Sequence, residues 1–280
     1  MTQLTTPDGT TLSYQDWGQG RPVILTATAM LDSRMWEFQA SFLAEQGLRC
    51  ITYDRRGSGR SDKPWDGYDY DTLADDLACL LDHLDVRDAV LVGYALGGGE
   101  AVRYLHRHGT DRVAKLALVA STTPFMQLAP DNPQGLPPAL LEEVTAAIRR
   151  DRAGWLAGFT IPFFGGPEAS PEELGISRDL ADWLLRTSLD MSPRAATELY
   201  RTLFQTDQRA EVAALDLPVL IIHGTADIGA PYDLCARPTA ALLPKATFLT
   251  YQDAAHALFA TRADQLSQDL LSFARDEPTG

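Results

Sequence analysis

Cysteine is scarce, cationic side chains are outnumbered and long apolar runs are missing; each shortage removes a class of function. The three cysteines, Cys50, Cys79 and Cys235, lie far apart and form no CxxC pair. An odd, scattered set reads as free thiols and places the chain in a reducing cytoplasm. No spacing of His, Cys and acidic residues suits a metal, and His106 and His108 read as surface residues, so neither metal nor other cofactor is expected. Lysine and arginine number 24 against 38 acidic residues, a formal net charge of −14. Such a surface lacks the basic face that nucleic acid or an anionic membrane would need. No segment approaches the ~18 apolar residues of a membrane span. The opening MTQLTTPDGT has neither the charged start nor the apolar stretch of a signal peptide. What remains is a soluble chain of 280 residues, enough for one α/β domain with an insertion and suited to a small-molecule substrate. A homo-oligomer is compatible with this sequence but not demanded by it.

Short β-rich apolar runs alternate with helical patterns, which predicts a mostly parallel sheet with helices on both faces. Thr11–Trp17 follows an Asp8-Gly9 turn as a hairpin strand would. Val23–Thr26 follows the Gly18-Gln19-Gly20 turn; Arg49–Tyr53, Ala89–Gly93, Leu116–Val119 and Val219–His223 read as buried strands, and Thr247–Tyr251 as the last strand. Leu73, Leu77, Leu80 and Leu84 mark one amphipathic helix, and Ala263–Ala274 another. Between residues 122 and 209 the rhythm stops. A Pro-rich loop (Pro124 to Pro138) is followed by helical stretches near Pro138–Arg150, Leu180–Leu189 and Ala195–Phe204, with exposed-looking aromatics at Trp155 and Phe159–Phe164. An apolar helical insertion between two strands reads as a cap over a pocket, with residues 1–121 and 210–280 as the core. The alternative is a helical layer that merely extends that core. The Glu277–Gly280 tail reads as low in complexity.

The most informative stretch is Val90-Leu91-Val92-Gly93-Tyr94-Ala95-Leu96-Gly97-Gly98-Gly99, followed by a helix over Glu100–Arg107. A buried strand entering a small-residue turn and then a helix is the context of the nucleophile elbow, G-x-S-x-G, with Ala95 where the serine would stand. Alone it could equally be an ordinary Gly-rich turn or a phosphate loop. Two later segments weigh against that. Asp227 lies just past the strand ending at His223, and His256 lies in the loop after the next strand. Elbow, acid, histidine is the chain order that α/β-hydrolases follow. Singly, Asp227 could be a helix cap and His256 a structural histidine.

From about residue 3 to 275 the chain resembles the bacterial cofactor-free (non-haem) haloperoxidase and aryl-esterase branch of the α/β-hydrolases. The resemblance is carried by Tyr53-Asp54-Arg55-Arg56-Gly57-Ser58-Gly59-Arg60-Ser61-Asp62-Lys63-Pro64-Trp65, by Gly67–Thr72 and by Pro133-Gln134-Gly135. It implies a serine at position 95 attacking an acyl carbonyl, with His256 as base and Asp227 as its orienter. A methyl group cannot do this, so acyl-enzyme chemistry, perhydrolysis and halogenation are expected to fail. The resemblance also implies a His-Gly pair and an aromatic after the strand ending near Leu25, where this chain has Thr26-Ala27-Thr28-Ala29-Met30. Any non-proline residue supplies an N–H, so Ala29 and Leu96 remain candidate oxyanion-hole donors.

Three functions follow. One is an enzyme using His256–Asp227 as general acid and base without covalent catalysis, in cyclisation, elimination, isomerisation or water-mediated ester or lactone cleavage. The second is a carboxylesterase or perhydrolase inactivated by a Ser→Ala change at position 95. The third is a non-catalytic small-ligand binding protein. Trp36, Tyr94, Phe125, Met126, Trp155, Phe159 and Phe163 are candidate pocket residues, half of them equally suited to a core. Asp32 and Arg34 read as a solvated loop pair, and Arg55–Arg56 as fixing the loop after Tyr53.

Overall fold

A computed structural model describes residues 2–166, 168–169 and 175–276; the Glu277–Gly280 tail lies outside them. The chain begins with β1 (Thr2–Thr5) and β2 (Thr11–Gly18), which pair antiparallel across the expected turn. Then come β3 (Pro22–Thr26), α1 (Glu37–Glu45), β4 (Arg49–Tyr53), α2 (Tyr70–His83), β5 (Ala89–Tyr94), α3 (Leu96–His108) and β6 (Val113–Val119). Four helices follow without a strand: α4 (Pro138–Gly165), α5 (Arg178–Ser188), α6 (Pro193–Gln205) and α7 (Arg209–Ala213). The chain closes with β7 (Val219–Gly224), α8 (Ala236–Leu242), β8 (Thr247–Tyr251), α9 (Leu258–Thr261) and α10 (Ala263–Ala274). The eight strands form one sheet in the order β1-β2-β4-β3-β5-β6-β7-β8, parallel from β4 onward.

Strand residues alternate between two cores, as a period of two requires. Val23, Leu25, Val90, Val92, Ala117 and Val119 face the cluster that includes α1 and α10. Ile24, Leu91, Leu116 and Leu118 face the opposite cluster, with Leu77 and Leu80 of α2. The inner runs are therefore strands covered on both faces, whereas Thr247–Tyr251, at the sheet edge, buries only Tyr251. A third cluster joins the inserted helices to the sheet through Ala29, Met30 and Leu96.

Two helices depart from their sequence-based limits. The expected helix near Pro138–Arg150 meets a break at Asp151 (φ −157°, ψ 84°), but the chain resumes as helix to Gly165. Its second half carries the aromatic run and an internal Pro162, which hide any polar face. Trp155, Phe159 and Phe163 are half-buried there, not exposed. Helix α3 starts at Leu96, not Glu100, so the three glycines are helical. They are needed for close approach: a Cβ on Gly97 would lie 2.3 Å from Thr26 Oγ1 and 2.8 Å from the Ala27 carbonyl.

No helix among the described residues is long and apolar enough to cross a membrane, and those residues contain no group of three or more His, Cys or acidic side chains arranged for a metal.

Candidate active site

The carboxyl ends of β3, β5, β7 and β8 release four loops on one side of the sheet, where open α/β sheets place their ligands. Between β5 and α3 stands Ala95 alone, at φ 49° and ψ −113°. A left-handed conformation at a residue with a Cβ costs roughly 1–3 kcal/mol and persists only where surroundings enforce it. Here the Ala95 N–H donates to Val119 O (3.0 Å), and its carbonyl accepts from Gly98 N (3.0 Å) and Thr122 N (3.4 Å). Leu96 is the first helical residue, so its N–H has no intrahelical acceptor. Among the described residues neither Leu96 N–H nor Ala29 N–H meets a protein acceptor, although both residues are buried. The neighbouring Thr28 N–H points to Met35 Sδ (3.4 Å).

A buried ion pair holds these two donor segments together. Arg55 donates to the carbonyls of Ala27 (2.9 Å) and Thr28 (3.2 Å) on one loop, and to Glu100 Oε2 of α3 (2.7 Å from Nε). Burial pushes the Glu100 carboxyl well up and the Arg55 guanidinium down to about 10. Glu100 Oε1 is buried with no partner among the described residues. Arg56 is tied to Asp76 and Asp8, so both arginines serve the loop, as read. Asp32 and Arg34 differ from their reading. Asp32 is 1% exposed and caps the short helical turn Ser33–Trp36, while Arg34 reaches both Asp32 and Asp190 beside the inserted helices (2.5 Å each). The pair is an anchor between layers, not a solvated loop feature.

His256 Nδ1 lies 2.9 and 2.8 Å from the two oxygens of Asp227. Asp227 Oδ1 also accepts from Gly229 N and Ala230 N (2.8 Å each). His223 Nε2 approaches Oδ2 at 3.3 Å while lying 2.7 Å from the Ala230 carbonyl. A carbonyl only accepts, so His223 Nε2 carries its proton. Burial works to raise the Asp227 carboxyl, but the His256 charge and bonds from both histidines outweigh it and hold it well below the usual carboxylate range. With Nδ1–H donating to this carboxylate, Nε2 is the ring nitrogen left for other partners. His256 lines the cavity described below, and Nε2 has no partner among the described residues.

The imidazole is packed on three sides. The Tyr94 hydroxyl donates to the His256 carbonyl, its ring meets His256 edge-on at 5.7 Å, and burial pushes its phenol pKa well above the free value. The Phe163 ring lies 5.3 Å away, and the Phe163 carbonyl accepts from Ala257 N–H (3.0 Å). A Cβ on Gly229 would come within 2.9 Å of His256 Cγ.

Above these groups lies a cavity of about 720 Å³, mouth included, between the sheet and α4–α6. Ala95, Ala29 and His256 line its floor, and Trp155, Phe159 and Phe163 line a wall. Four of the candidate pocket residues lie elsewhere. Trp36 and Tyr94 are fully buried in the core, ring edge to ring face, and Phe125 sits beneath the Arg209 guanidinium (5.2 Å). Large aromatics flanking a motif carry no sign of which side of the backbone they face. Met126 belongs to the cluster beneath the inserted helices. Sequence reasoning missed His223, whose signal was its place in the strand leading to Asp227. It also missed Glu100 and the wall residues Leu184, Ser188 and Tyr200, which amphipathic helices do not distinguish from core.

The sequence profile of a family described as alpha/beta hydrolase fold matches residues 22–263. A non-heme chloroperoxidase of Streptomyces lividans is 38% identical over 98% of this chain and 100% of its own. A crystal structure of a bromoperoxidase from Bacillus anthracis superposes with a TM-score of 0.92 at 32% identity, covering 98% of this chain and 100% of that one. An esterase from Exiguobacterium antarcticum gives 0.91 at 28% identity, with 98% and 99% covered.

Proposed function

The chain belongs to the α/β-hydrolase fold family, and from that premise we propose that it is an acid–base enzyme working on a small carbonyl substrate without a covalent intermediate. Position 95 offers only a methyl group, so the reacting atom next to His256 belongs to the substrate or to water. Nε2 takes a proton from a carbon or oxygen adjacent to the carbonyl. Asp227 stabilises the imidazolium that forms, and the Ala29 and Leu96 N–H groups receive the developing oxyanion. Return of the same proton to another atom gives isomerisation, cyclisation or elimination; a water deprotonated in the same way cleaves an activated ester or lactone. The helices between β6 and β7 act as the cap that excludes bulk water. Free cysteines, two of them buried, suit a reducing cytoplasm.

The observation that carries this reading is the intact His256–Asp227 pair, with His256, Ala29 and Ala95 on one cavity and the N–H groups of Ala29 and of Leu96, the residue after Ala95, without acceptors among the described residues. The test is deuterium incorporation at the α-carbon of 2-tetralone in D₂O, followed by NMR. The chain should exchange it faster than buffer, and His256→Ala should reduce that rate by roughly 10²–10⁴-fold, the usual worth of a positioned general base. Exchange that is unaffected by the substitution contradicts the proposal.

A second reading is favoured by one observation. Ala95 keeps the strained left-handed backbone that an elbow gives its nucleophile. On this reading the chain is a carboxylesterase or perhydrolase disabled at one atom, and a serine at position 95 would restore it.

A further inference from the structure

We infer that the cavity selects a neutral, planar, aromatic carbonyl compound and rejects its carboxylate counterpart. The inference rests on the acid–base reading only for which end of the ligand faces His256. Among the described residues that line the cavity, none is Asp, Glu, Lys or Arg. The nearby guanidinium groups are committed elsewhere: Arg34 to Asp32 and Asp190, Arg55 to Glu100, and Arg152 to the carbonyls of Leu189 and Met191. The hydroxyls of Thr160 and Ser188 donate to carbonyls of their own helices, Leu156 O and Leu184 O (3.0 Å each). His256 already faces the negative charge of Asp227. An anionic ligand would therefore lose its hydration and gain no countercharge.

The shape of the wall supplies the second half of the inference. Along one face of α4, rings recur every four residues and lead to the base. Trp155 and Phe159 lie parallel (5.6 Å between centroids, 6° between planes), Phe159 is followed by Phe163 at 5.9 Å, and Phe163 by His256 at 5.3 Å. Tyr200 meets Trp155 at 86° and 5.5 Å, forming a corner. A flat ring system can lie along this row with its carbonyl toward Ala29 and Leu96.

The test compares 9-fluorenone with fluorenone-4-carboxylate, the same rings with one added charge, by titration calorimetry on the full chain. Fluorenone has no α-hydrogen, so its binding is separable from acid–base chemistry. It should bind at least about tenfold more tightly than the carboxylate, and Phe159→Ala should weaken it by roughly 2- to 13-fold, the worth of one aromatic contact. Equal or tighter binding of the carboxylate, or no binding of fluorenone to a folded chain, overturns the inference. Selective fluorenone binding without 2-tetralone exchange would uphold it while contradicting the acid–base proposal.

Discussion

The floor and the wall of the cavity are built by opposite means. On the floor, the carboxylate of Asp227 meets two histidines and two backbone N–H groups, and Arg55 meets Glu100 and two carbonyls. On the wall, rings and aliphatic side chains touch one another, and the hydroxyls of Thr160 and Ser188 turn back on their own helices. Bonds of the first kind are directional and fail sharply when one partner is removed. Contacts of the second kind adapt and degrade gradually. The floor is thus suited to fixing reaction geometry within narrow limits, and the wall to setting which molecules enter.

That contrast can be broken from either side. The largest effect is expected from Glu100→Ala, which strands Arg55 in a fully buried site. Loss of one partner of such a pair costs roughly 3–5 kcal/mol, to be read from the urea midpoint and slope. A loss under about 1 kcal/mol would mean that the pair does not join the two donor segments. Asp227→Asn comes next and carries a pH signature. The folded carboxyl is held below its unfolded value, so its stabilisation is fully present above about pH 4, the unfolded carboxylate range, and is lost as pH falls through the folded value. The stability gap between the chain and Asp227→Asn should therefore shrink as pH falls below about 4. A gap that goes on widening below pH 4 would reverse the sign of the shift. Phe159→Leu, on the wall, should cost about 1 kcal/mol or less, as a hydrophobic exchange at a half-buried site. A cost equal to that of Glu100→Ala would erase the distinction.

The same contrast explains what the sequence disclosed. Floor residues sit at strand ends in fixed chain order, so Ala95, Asp227 and His256 could be located from short motifs and strand boundaries. Strand positions were legible because burial on both faces leaves compact apolar runs, as in Ala89–Tyr94 and Val219–Gly224. The wall was not legible. Trp36 and Phe159 are equally aromatic, yet one is in the core and the other on the cavity, a difference set by tertiary packing. The helix containing Phe159 was read as ending at Arg150 because Asp151 interrupts it and Pro162 disguises its continuation. The buried carboxyl of Glu100 was also hidden, since its partner Arg55 lies 45 residues away.

The central claim is that elbow, donors and histidine stand ready around a methyl group. Ala95→Ser tests it most directly, with hydrolysis of an aryl acetate as the assay. If the Ala29 and Leu96 N–H groups and His256 are arranged as described, the added hydroxyl should raise turnover by several orders of magnitude, within the ~10⁶ by which a missing nucleophile depresses such sites. That gain should vanish in Ala95→Ser combined with His256→Ala. A folded Ala95→Ser variant that stays at background would contradict the claim and show that the Ala27–Met30 loop does not present an oxyanion hole.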